Sequence, residues 1–338
     1  MGATRHPGMA AVGIILGGVL LNGIVPARGG GPLLQPDVLR RKAVEAALPA
    51  NSEDAAVLGR PLALAVRAGR LYIADALDCA IKVFSREGRF LMSFGRKGDG
   101  PGELSFPSGV CAAEETIAVA DKLNLRIQLF DSEGRVRGGF KLPFAPDRLL
   151  ALGPDRLLVT SNPTGRKPGE RLLHIFDAAG RLVWEGLEAG ASADPVSDAF
   201  RNMIIVCNGE ADDFHVIFRS GERAISHFSG SGALLAEVVV DARHAFRTAE
   251  IAAPRGAVRL AGFCWAAARD RGLFYLSAPE ALAGRDLGPG RTVSVVDGRG
   301  RLQAVIDLPC PVHRFAMSDG RLFAIDDEGD LRIFEVGR

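Results

Sequence analysis

The chain has 338 residues, with 41 Lys and Arg against 40 Asp and Glu, 47% apolar residues and five cysteines. An apolar content near that of ordinary globular proteins excludes a disordered chain, and a small, odd number of cysteines excludes a disulfide scaffold. A formal net charge of +1 leaves no general excess of basic residues, so nucleic acid is not an expected partner.

Residues 1–27 have the pattern of a secretory signal peptide. Arg5 precedes an uninterrupted apolar run over residues 9–21, and small residues follow up to Ala27. The run is too short for a settled membrane-spanning helix, although an uncleaved N-terminal anchor is the alternative. In either case we expect residues 28–338 to be exported, periplasmic or extracellular, with membrane contact only through an uncleaved N-terminal segment.

A short β-branched or aromatic run followed by a polar turn ending in glycine recurs along the chain. The turn glycines, spaced by 46, 46, 52, 68 and 37 residues, are Gly88, Gly134, Gly180, Gly232, Gly300 and Gly337. Repeats of about forty residues built from strands and tight turns are typical of four-stranded propeller blades. The pattern predicts an all-β fold, a six-bladed β-propeller of antiparallel blades formed by residues 28–338 as a single domain.

The last repeat predicts only three strands, at residues 312–317, 321–325 and 331–335. A propeller blade needs a fourth strand, and an unpaired sheet edge invites aggregation. The missing strand must therefore come from upstream of residue 62, within residues 33–58. The sequence thus predicts a ring closed by strands from both ends of the chain.

The longest connections all fall on one face of the predicted propeller. If the strands of a blade are named A to D, the A–B and C–D turns share one face, and the B–C and D–A connections share the other. The long B–C and D–A segments are residues 161–171, 186–201, 241–258 and 278–291. Binding sites usually lie where loops lengthen on one face of a rigid scaffold, so we expect the ligand on this B–C and D–A face, called here the loop face.

Two motifs carry a family resemblance. One is the connector from Gly95 to Glu103, GRKGDGPGE, followed by Phe106-Pro107, and the other is the B–C corner Asp-x-x-Asn-x-Arg-Ile, formed by Asp121, Asn124, Arg126 and Ile127. Over residues 71–141 the chain resembles NHL-repeat six-bladed β-propellers, although the first blade departs from the corner motif with Asp78 and Ala80. Because that family includes ligand, protein and RNA binders as well as metal-using lyases and hydrolases, the resemblance implies the architecture and leaves the activity open.

The corners and loops of the loop face carry the candidate ligand-binding residues. They are Asp75, Asp78, Asp121, Asn124, Arg126, Arg166, Asn208 and Asp326. The aspartates that close strand B in three blades either cap their corners by hydrogen bonding or surround the channel mouth and collect a divalent cation. Asn208 is expected after strand B of the fourth blade, and Arg166 belongs to a basic loop that is either solvated or receptive to anions.

Metal candidates are His215, His244 and Asp327, although no histidines stand at a metal-binding spacing. The turn from Asp326 to Asp330 carries four carboxylates, which suit calcium, but it lacks the EF-hand pattern and is equally typical of a solvated turn. No catalytic residue is assigned and no cofactor is expected, with a divalent cation left open.

The sequence therefore predicts an exported binding module that takes a protein, peptide or glycan ligand on its loop face. The alternative is a metal-assisted lyase or hydrolase with a cation at the mouth of the central channel. That alternative requires at least three convergent His, Asp, Glu or Asn side chains around the axis.

Overall fold

The computed structural model describes residues 38–49, 56–161, 169–190, 195–221, 223–240, 247–253, 256–262, 264–281 and 287–336. The predicted signal peptide lies outside the described residues, as do the candidate site residues Arg166 and His244. Within the described part of the chain the fold is almost entirely β-strand, and its single helix is α1 (Pro195–Arg201).

Two short strands, β1 (Leu39–Lys42) and β2 (Val44–Glu45), precede the blades. Blade 1 consists of β3 (Pro61–Arg67), β4 (Arg70–Asp75), β5 (Ala80–Ser85) and β6 (Phe90–Phe94). Blade 2 consists of β7 (Pro107–Ala113), β8 (Thr116–Asp121), β9 (Arg126–Phe130) and β10 (Val136–Lys141). Blade 3 consists of β11 (Pro146–Leu152), β12 (Arg156–Ser161), β13 (Arg171–Asp177) and β14 (Leu182–Glu188).

Blade 4 follows α1 and consists of β15 (Ile204–Asn208), β16 (Phe214–Phe218), β17 (Ala224–Phe228) and β18 (Leu234–Val239). The hairpin β19 (Arg247–Ala253) and β20 (Gly256–Gly262) lies between blades 4 and 5. Blade 5 contains β21 (Ala267–Asp270) and β22 (Leu273–Ser277), then the small hairpin β23 (Glu280–Ala281) and β24 (Leu287–Gly288), then β25 (Thr292–Val296) and β26 (Leu302–Asp307). Blade 6 contains β27 (Val312–Ser318), β28 (Arg321–Asp326) and β29 (Leu331–Glu335).

The strands pair as the repeat predicted. In blades 1 to 4, four consecutive strands form one antiparallel sheet, so each blade is a meander. In blade 6 the fourth strand is β2, with Val44 opposite Glu335 and Glu45 opposite Phe334. The prediction that residues 33–58 supply the closing strand is confirmed, and the fold is a closed six-bladed propeller.

The N-terminal segment also pairs with blade 5, which the sequence did not predict. Strand β1 adds to β26 as a parallel fifth strand, and Arg40 forms an ion pair with Asp307 at 2.5 Å. The segment thus joins two neighbouring blades, since β1 extends blade 5 and β2 completes blade 6.

The glycines of the repeated turns are positions where each blade contacts the one before it. Gly134 and Gly180 have φ angles of 77° and 76°, and a Cβ there would lie 2.5 and 2.4 Å from Phe94 and Phe140 of the preceding blades. Glycine is therefore required both by conformation and by space. At Gly88 of blade 1 the covering residue is Leu48, just after β2, so the same contact continues across the closure.

The apolar core lies between the blades. Leu71, Ile73 and Phe84 of blade 1 are at most 2% exposed and pack against Phe323 and Ile333 of blade 6. Full burial of one such side chain contributes roughly 1.5–3 kcal/mol. The interface between the first and last blades is therefore packed like the others, and the ring is sealed by hydrophobic contacts as well as by strand pairing.

Candidate functional site

The first strands of the six blades surround an axial cavity of about 440 Å³. Its wall contains small residues, including Ala63, Gly109 and Ala266. A Cβ at Gly109 would lie 2.7 Å from the carbonyl oxygen of Asp147, so glycine allows blades 2 and 3 to approach closely at the axis. The cavity is thus a consequence of ring closure and of small side chains on the innermost strands.

The axial cavity has a cationic mouth on the loop face, where strands A begin and strands B end. Arg148 and Arg314 occupy the same position, the third residue of β11 and of β27, where blades 1 and 2 have Ala63 and Gly109. The Nη1 atom of Arg148 and the Nε atom of Arg314 both donate to the carbonyl oxygen of Leu62, at 3.0 and 2.9 Å. Two guanidinium groups from different blades therefore meet at one backbone acceptor.

A third arginine completes this cationic group. Arg219, which follows β16, lies over the indole ring of Trp265 with 4.4 Å between the guanidinium carbon and the ring centroid. Its Nη1 contacts the sulfur of Met203 at 3.6 Å, while its Nε and the Nε1 of Trp265 are buried and have no hydrogen-bond partner among the residues that the structure describes. We refer to Arg148, Arg219 and Arg314 as the arginine triad.

The three cations repel one another. Repulsion from Arg148, followed by burial and by repulsion from Arg219, lowers the pKa of Arg314 well below its ordinary value. Burial, followed by repulsion from Arg148, lowers the pKa of Arg219 to about 10. Because Arg148 and Arg314 reach the same oxygen, their donor nitrogens are at most about 6 Å apart, a separation at which like charges repel by roughly 3 kcal/mol at an effective dielectric constant of 20.

The triad has little neutralisation from acidic side chains. Asp147 lies 3.6 Å from the Nε of Arg148, but it also pairs with Lys122 at 3.3 Å. Among the described residues, neither Arg219 nor Arg314 has a carboxylate oxygen within 4 Å. In the described part of the chain, the triad at the loop-face end of the axial cavity is therefore a concentration of positive charge that has one carboxylate nearby, shared with Lys122.

The candidate residues of blade 2 form a structural clamp instead of facing the cavity. Asp121 is fully buried and accepts from the Nε of Arg126 at 2.7 Å, the Nδ2 of Asn124 at 2.8 Å and the amide of Ser105 at 2.6 Å. Arg126 and Asn124 also donate to carbonyl oxygens of residues 98, 99, 100 and 103, which belong to the glycine-rich connector. Their polar atoms hold the connector between blades 1 and 2 in place, as the corner-capping alternative expected.

The B–C corner of blade 1 is also held by a buried aspartate, Asp75, but with different partners. Burial alone would raise the pKa of Asp75, but hydrogen bonds from the amides of Arg60 and Gly59 and the charge of Lys82 outweigh it, so the pKa is lowered. Lys82 is only 2% exposed, and its ammonium group contacts Asp75 at 3.2 Å and also pairs with Asp78. Both blade 1 candidates therefore pair with Lys82, Asp75 from a buried position and Asp78 from an exposed one.

Asp326 and Asp327 lie on the acidic turn of blade 6. Asp326 is 2% exposed and accepts from the amides of Glu328 and Asp330, at 3.1 and 2.8 Å, and from the Nε of Arg332 at 2.7 Å. Among the described residues, Asp326, Glu328 and Asp330 are the only three metal-ligating side chains close enough to share an ion, with ligand atoms within 4.8 Å. Asp326 is already occupied by these bonds, and Asp327 is exposed outside the group.

Asn208 lines the axial cavity at the end opposite the arginine-lined mouth, and His215 lies in a different cavity. Asn208 ends β15, which is strand A of blade 4, so the placement after strand B was wrong, because residues 209–213 form the A–B turn. His215 stacks on His227 with ring centroids 4.4 Å apart, in a second cavity of about 250 Å³ lined by short turns of blades 4 and 5. His215 and Asp327 therefore occupy opposite faces and do not form one site.

The arginine triad was missed by sequence reasoning. The informative signal was the third residue of strand A, which is Ala63, Gly109, Arg148 and Arg314 in blades 1, 2, 3 and 6. A residue-by-residue alignment of the repeats would have marked two arginines at a position that faces the axis. Arg219 has no such signal, because it reaches the axis from the end of strand B.

These features define the class of protein: a six-bladed β-propeller with a positively charged axial cavity. Residues 48–164 match the DUF5128 family, described as a 6-bladed beta-propeller. Protein lin-41 of Caenorhabditis elegans is 37% identical over 79 residues, which make up 23% of this chain and 6% of that protein.

Solved structures share the fold at low sequence identity. A member of the DUF4221 family from Bacteroides vulgatus superposes with a TM-score of 0.58 at 11% identity, covering 88% of this chain and 97% of that chain. A Bacteroides fragilis protein described as exported gives 0.55 at 12% identity with the same coverage. BBS1N, in complex with ARL6DN, gives 0.51 at 18% identity, covering 89% of this chain and 98% of that chain. No helix in the described residues has the length and apolarity needed to cross a membrane.

Proposed function

We propose that this protein is an exported binding module that holds a protein or peptide segment non-covalently on its loop face. The observation that carries the proposal is the axial cavity of about 440 Å³, whose arginine-lined mouth lies on the face with the long connections. That volume falls within the roughly 300–1,000 Å³ typical of ligand-binding cavities. A preformed, charged opening in a rigid ring is suited to recognising a ligand.

Exposed leucines on the loop face favour a polypeptide ligand over a glycan. Leu77 and Leu123 occupy equivalent B–C corners of blades 1 and 2, two residues after Asp75 and Asp121, and are 68% and 67% exposed. Apolar contacts around a polar centre are what a protein segment with mixed side chains can use. The structurally similar BBS1N was solved in complex with ARL6DN, which supports protein binding on this type of ring.

The metal-assisted enzyme is the less favoured alternative. A divalent cation at the channel mouth would be repelled by the arginine triad, and Asp75 and Asp121 already serve backbone amides and cationic side chains. The acidic turn of blade 6 offers carboxylates, but an exposed acidic turn of this kind is common without an ion. The electrostatics therefore support binding of an anionic group more than chemistry on a metal.

The proposal also includes export of the protein, which the N-terminal pattern supports, and the NHL-repeat type of blades 1 and 2, which the repeat motifs support. We infer that residues 1–27 direct export, and the structural similarity to a protein described as exported is in keeping with this. Blades 1 and 2 are of the NHL-repeat type, a view supported by the clamp of Asn124 and Arg126 on the connector. Cell fractionation with mass spectrometry of the mature N-terminus tests export, and a full-length N-terminus in the cytoplasm would contradict it.

Peptide selection tests the binding function. A library of random displayed peptides is selected on the folded protein, and the affinities of enriched peptides are measured for Leu77→Glu and Leu123→Glu. The matched control is Leu182→Glu, an exposed leucine at the start of β14, outside the loop face. We expect affinity to fall about tenfold or more for the loop-face variants, equal to about 1.4 kcal/mol, and to stay unchanged for the control. Absence of enriched peptides, or peptides that lose affinity only for Leu182→Glu, would overturn the proposal.

A further inference from the structure

Within the described residues, the arginine triad brings cations together with little of the counter-charge that such groups normally have in proteins. Arg219 and Arg314 have no carboxylate within 4 Å in the described part of the chain, and the single carboxylate near Arg148 is shared with Lys122. The hydrogen bonds of Arg314 go to two backbone carbonyl oxygens, those of Leu62 and His313. Clustered, partly buried cations of this kind are expected to be paired when a ligand is present.

We propose that Arg148, Arg219 and Arg314 form an oxyanion-binding site in the axial cavity, which holds an acidic group of the ligand. This inference rests on the proposed binding function and names the chemistry that the cavity recognises. Guanidinium groups present planar, paired N–H donors that match the oxygens of a carboxylate or a phosphate group. Three of them around one cavity mouth provide donors from several directions.

The surroundings of the triad suit an anion and exclude a competing cation. His313 lies beside Trp265, and burial, followed by the charge of Arg314, lowers its pKa, so it adds a neutral ring to the site. The indole of Trp265 orients Arg219 through the contact at 4.4 Å. Ala63 and Gly109 at the equivalent positions of blades 1 and 2 leave space for the bound group.

Trp265 supplies a direct reporter of binding. The chain has two tryptophans, so Trp184→Phe leaves Trp265 as the only one. This protein is titrated with sodium phosphate and, separately, with sodium succinate, with sodium chloride holding the ionic strength constant. We expect a saturable change in Trp265 fluorescence, because an anion drawn to Arg219 alters the charge against the indole.

Variants distinguish specific oxyanion binding at the triad from general attraction of anions to positive charge. Arg314→Gln and Arg148→Gln should each weaken oxyanion affinity about tenfold or more, whereas Arg67→Gln, an exposed arginine at the A–B turn of blade 1, should not change it. Saturation by succinate alone assigns a carboxylate, saturation by phosphate alone assigns a phosphate group, and saturation by both assigns a general oxyanion site. Fluorescence that does not saturate with either anion, or affinities that are equal in the wild type and both triad variants, would overturn the inference.

The peptides selected on the loop face distinguish this inference from the proposed function. We expect their acidic side chain or free C-terminal carboxylate to be required, so replacement of Glu by Gln or amidation of the terminus identifies which carboxylate binds. Peptides that depend on Leu77 and Leu123 but not on the triad would leave the proposed function standing and contradict the oxyanion site. Saturable oxyanion binding without any peptide binding would support the oxyanion site and contradict the proposed function.

Discussion

Arg148 and Arg314 come from blades that are three positions apart in the ring, yet both donate to the carbonyl oxygen of Leu62 in blade 1. In a six-bladed ring such blades face each other across the axis, so this contact exists only when the ring is closed. The strand pairing that closes the propeller is therefore also what assembles the cationic mouth. Closure of the ring is therefore needed both for the fold and for the candidate site.

The clamp at Asp121 is expected to be a major source of stability. Asp121→Ala removes the fully buried acceptor of Arg126, which is 12% exposed, and leaves that guanidinium without its carboxylate partner. We expect the free energy of unfolding to fall by about 3–5 kcal/mol, as measured by urea denaturation. Glu133→Ala, at an exposed ion pair with Arg135, is the control and should leave the free energy of unfolding almost unchanged, because solvent screens exposed ion pairs. Equal effects of the two substitutions would contradict the clamp.

Ring closure is expected to depend on β1 and β2. A chain that begins at residue 56 lacks both strands, which leaves the edges of β26 and β29 unpaired and uncovers Gly88. Compared with a chain that begins at residue 38, we expect a Tm lower by on the order of 10 °C and self-association through the open edges. Thermal unfolding and light scattering measure these effects. Identical behaviour of the two chains would refute closure by the N-terminal strands.

The histidine pair of blade 4 predicts a loss of stability in acid. Burial, followed by the charges of His227 and Arg269, lowers the pKa of His215 to about 4, and this outweighs the opposing effects of a hydrogen bond with the Asn208 backbone and of the charge of Asp213. The unfolded chain therefore takes up a proton near the ordinary histidine value of 6.5, before the folded protein does, and stability falls as pH drops from there towards 4. Protonation of His215 alone should lower the free energy of unfolding by about 2–3 kcal/mol between pH 6.5 and pH 4.

His215→Phe tests that contribution, because phenylalanine keeps the ring stacking and does not titrate. The variant should lose less stability than the wild type between neutral pH and pH 4, as measured by urea denaturation at a series of pH values. His174→Phe serves as a comparison at a histidine whose pKa burial also lowers. A pH profile of His215→Phe identical to that of the wild type would show that His215 does not carry the effect.

Most of the fold followed from local patterns in the sequence. Turn glycines such as Gly134 and the alternation within strands marked the blades, and the missing strand in the last repeat indicated closure. The prediction for Asn208 is wrong because the acidic turn after it, at residues 209–213, is an A–B turn, and its local sequence does not distinguish it from a B–C corner. Strand β1 was not foreseen, because its parallel pairing with β26 joins residues more than 260 positions apart and leaves no local signal.

The candidate site was less accessible to sequence reasoning. The conspicuous polar residues, such as Asp121 and Arg126, turned out to brace a corner, as the corner-capping interpretation of the aspartates had allowed. The arginine triad is dispersed over residues 148–314, and its members become neighbours only around the axis. A sequence pattern shows which residues share a strand position, but the electrostatic effect of bringing them together needs the closed ring.

The stability of Arg314→Gln with and without an oxyanion tests whether the arginine triad is a binding site. In chloride alone, removing one of three repelling cations should raise the free energy of unfolding by about 1 kcal/mol, after the loss of its two hydrogen bonds is allowed for. Saturating succinate or phosphate should stabilise the wild type more than the variant, because the wild type binds the anion more tightly. The difference in free energy of unfolding between the two proteins should therefore become smaller or change sign. A variant that is less stable than the wild type by the same amount in both conditions would show that Arg314 is a structural residue and that the triad does not bind an oxyanion.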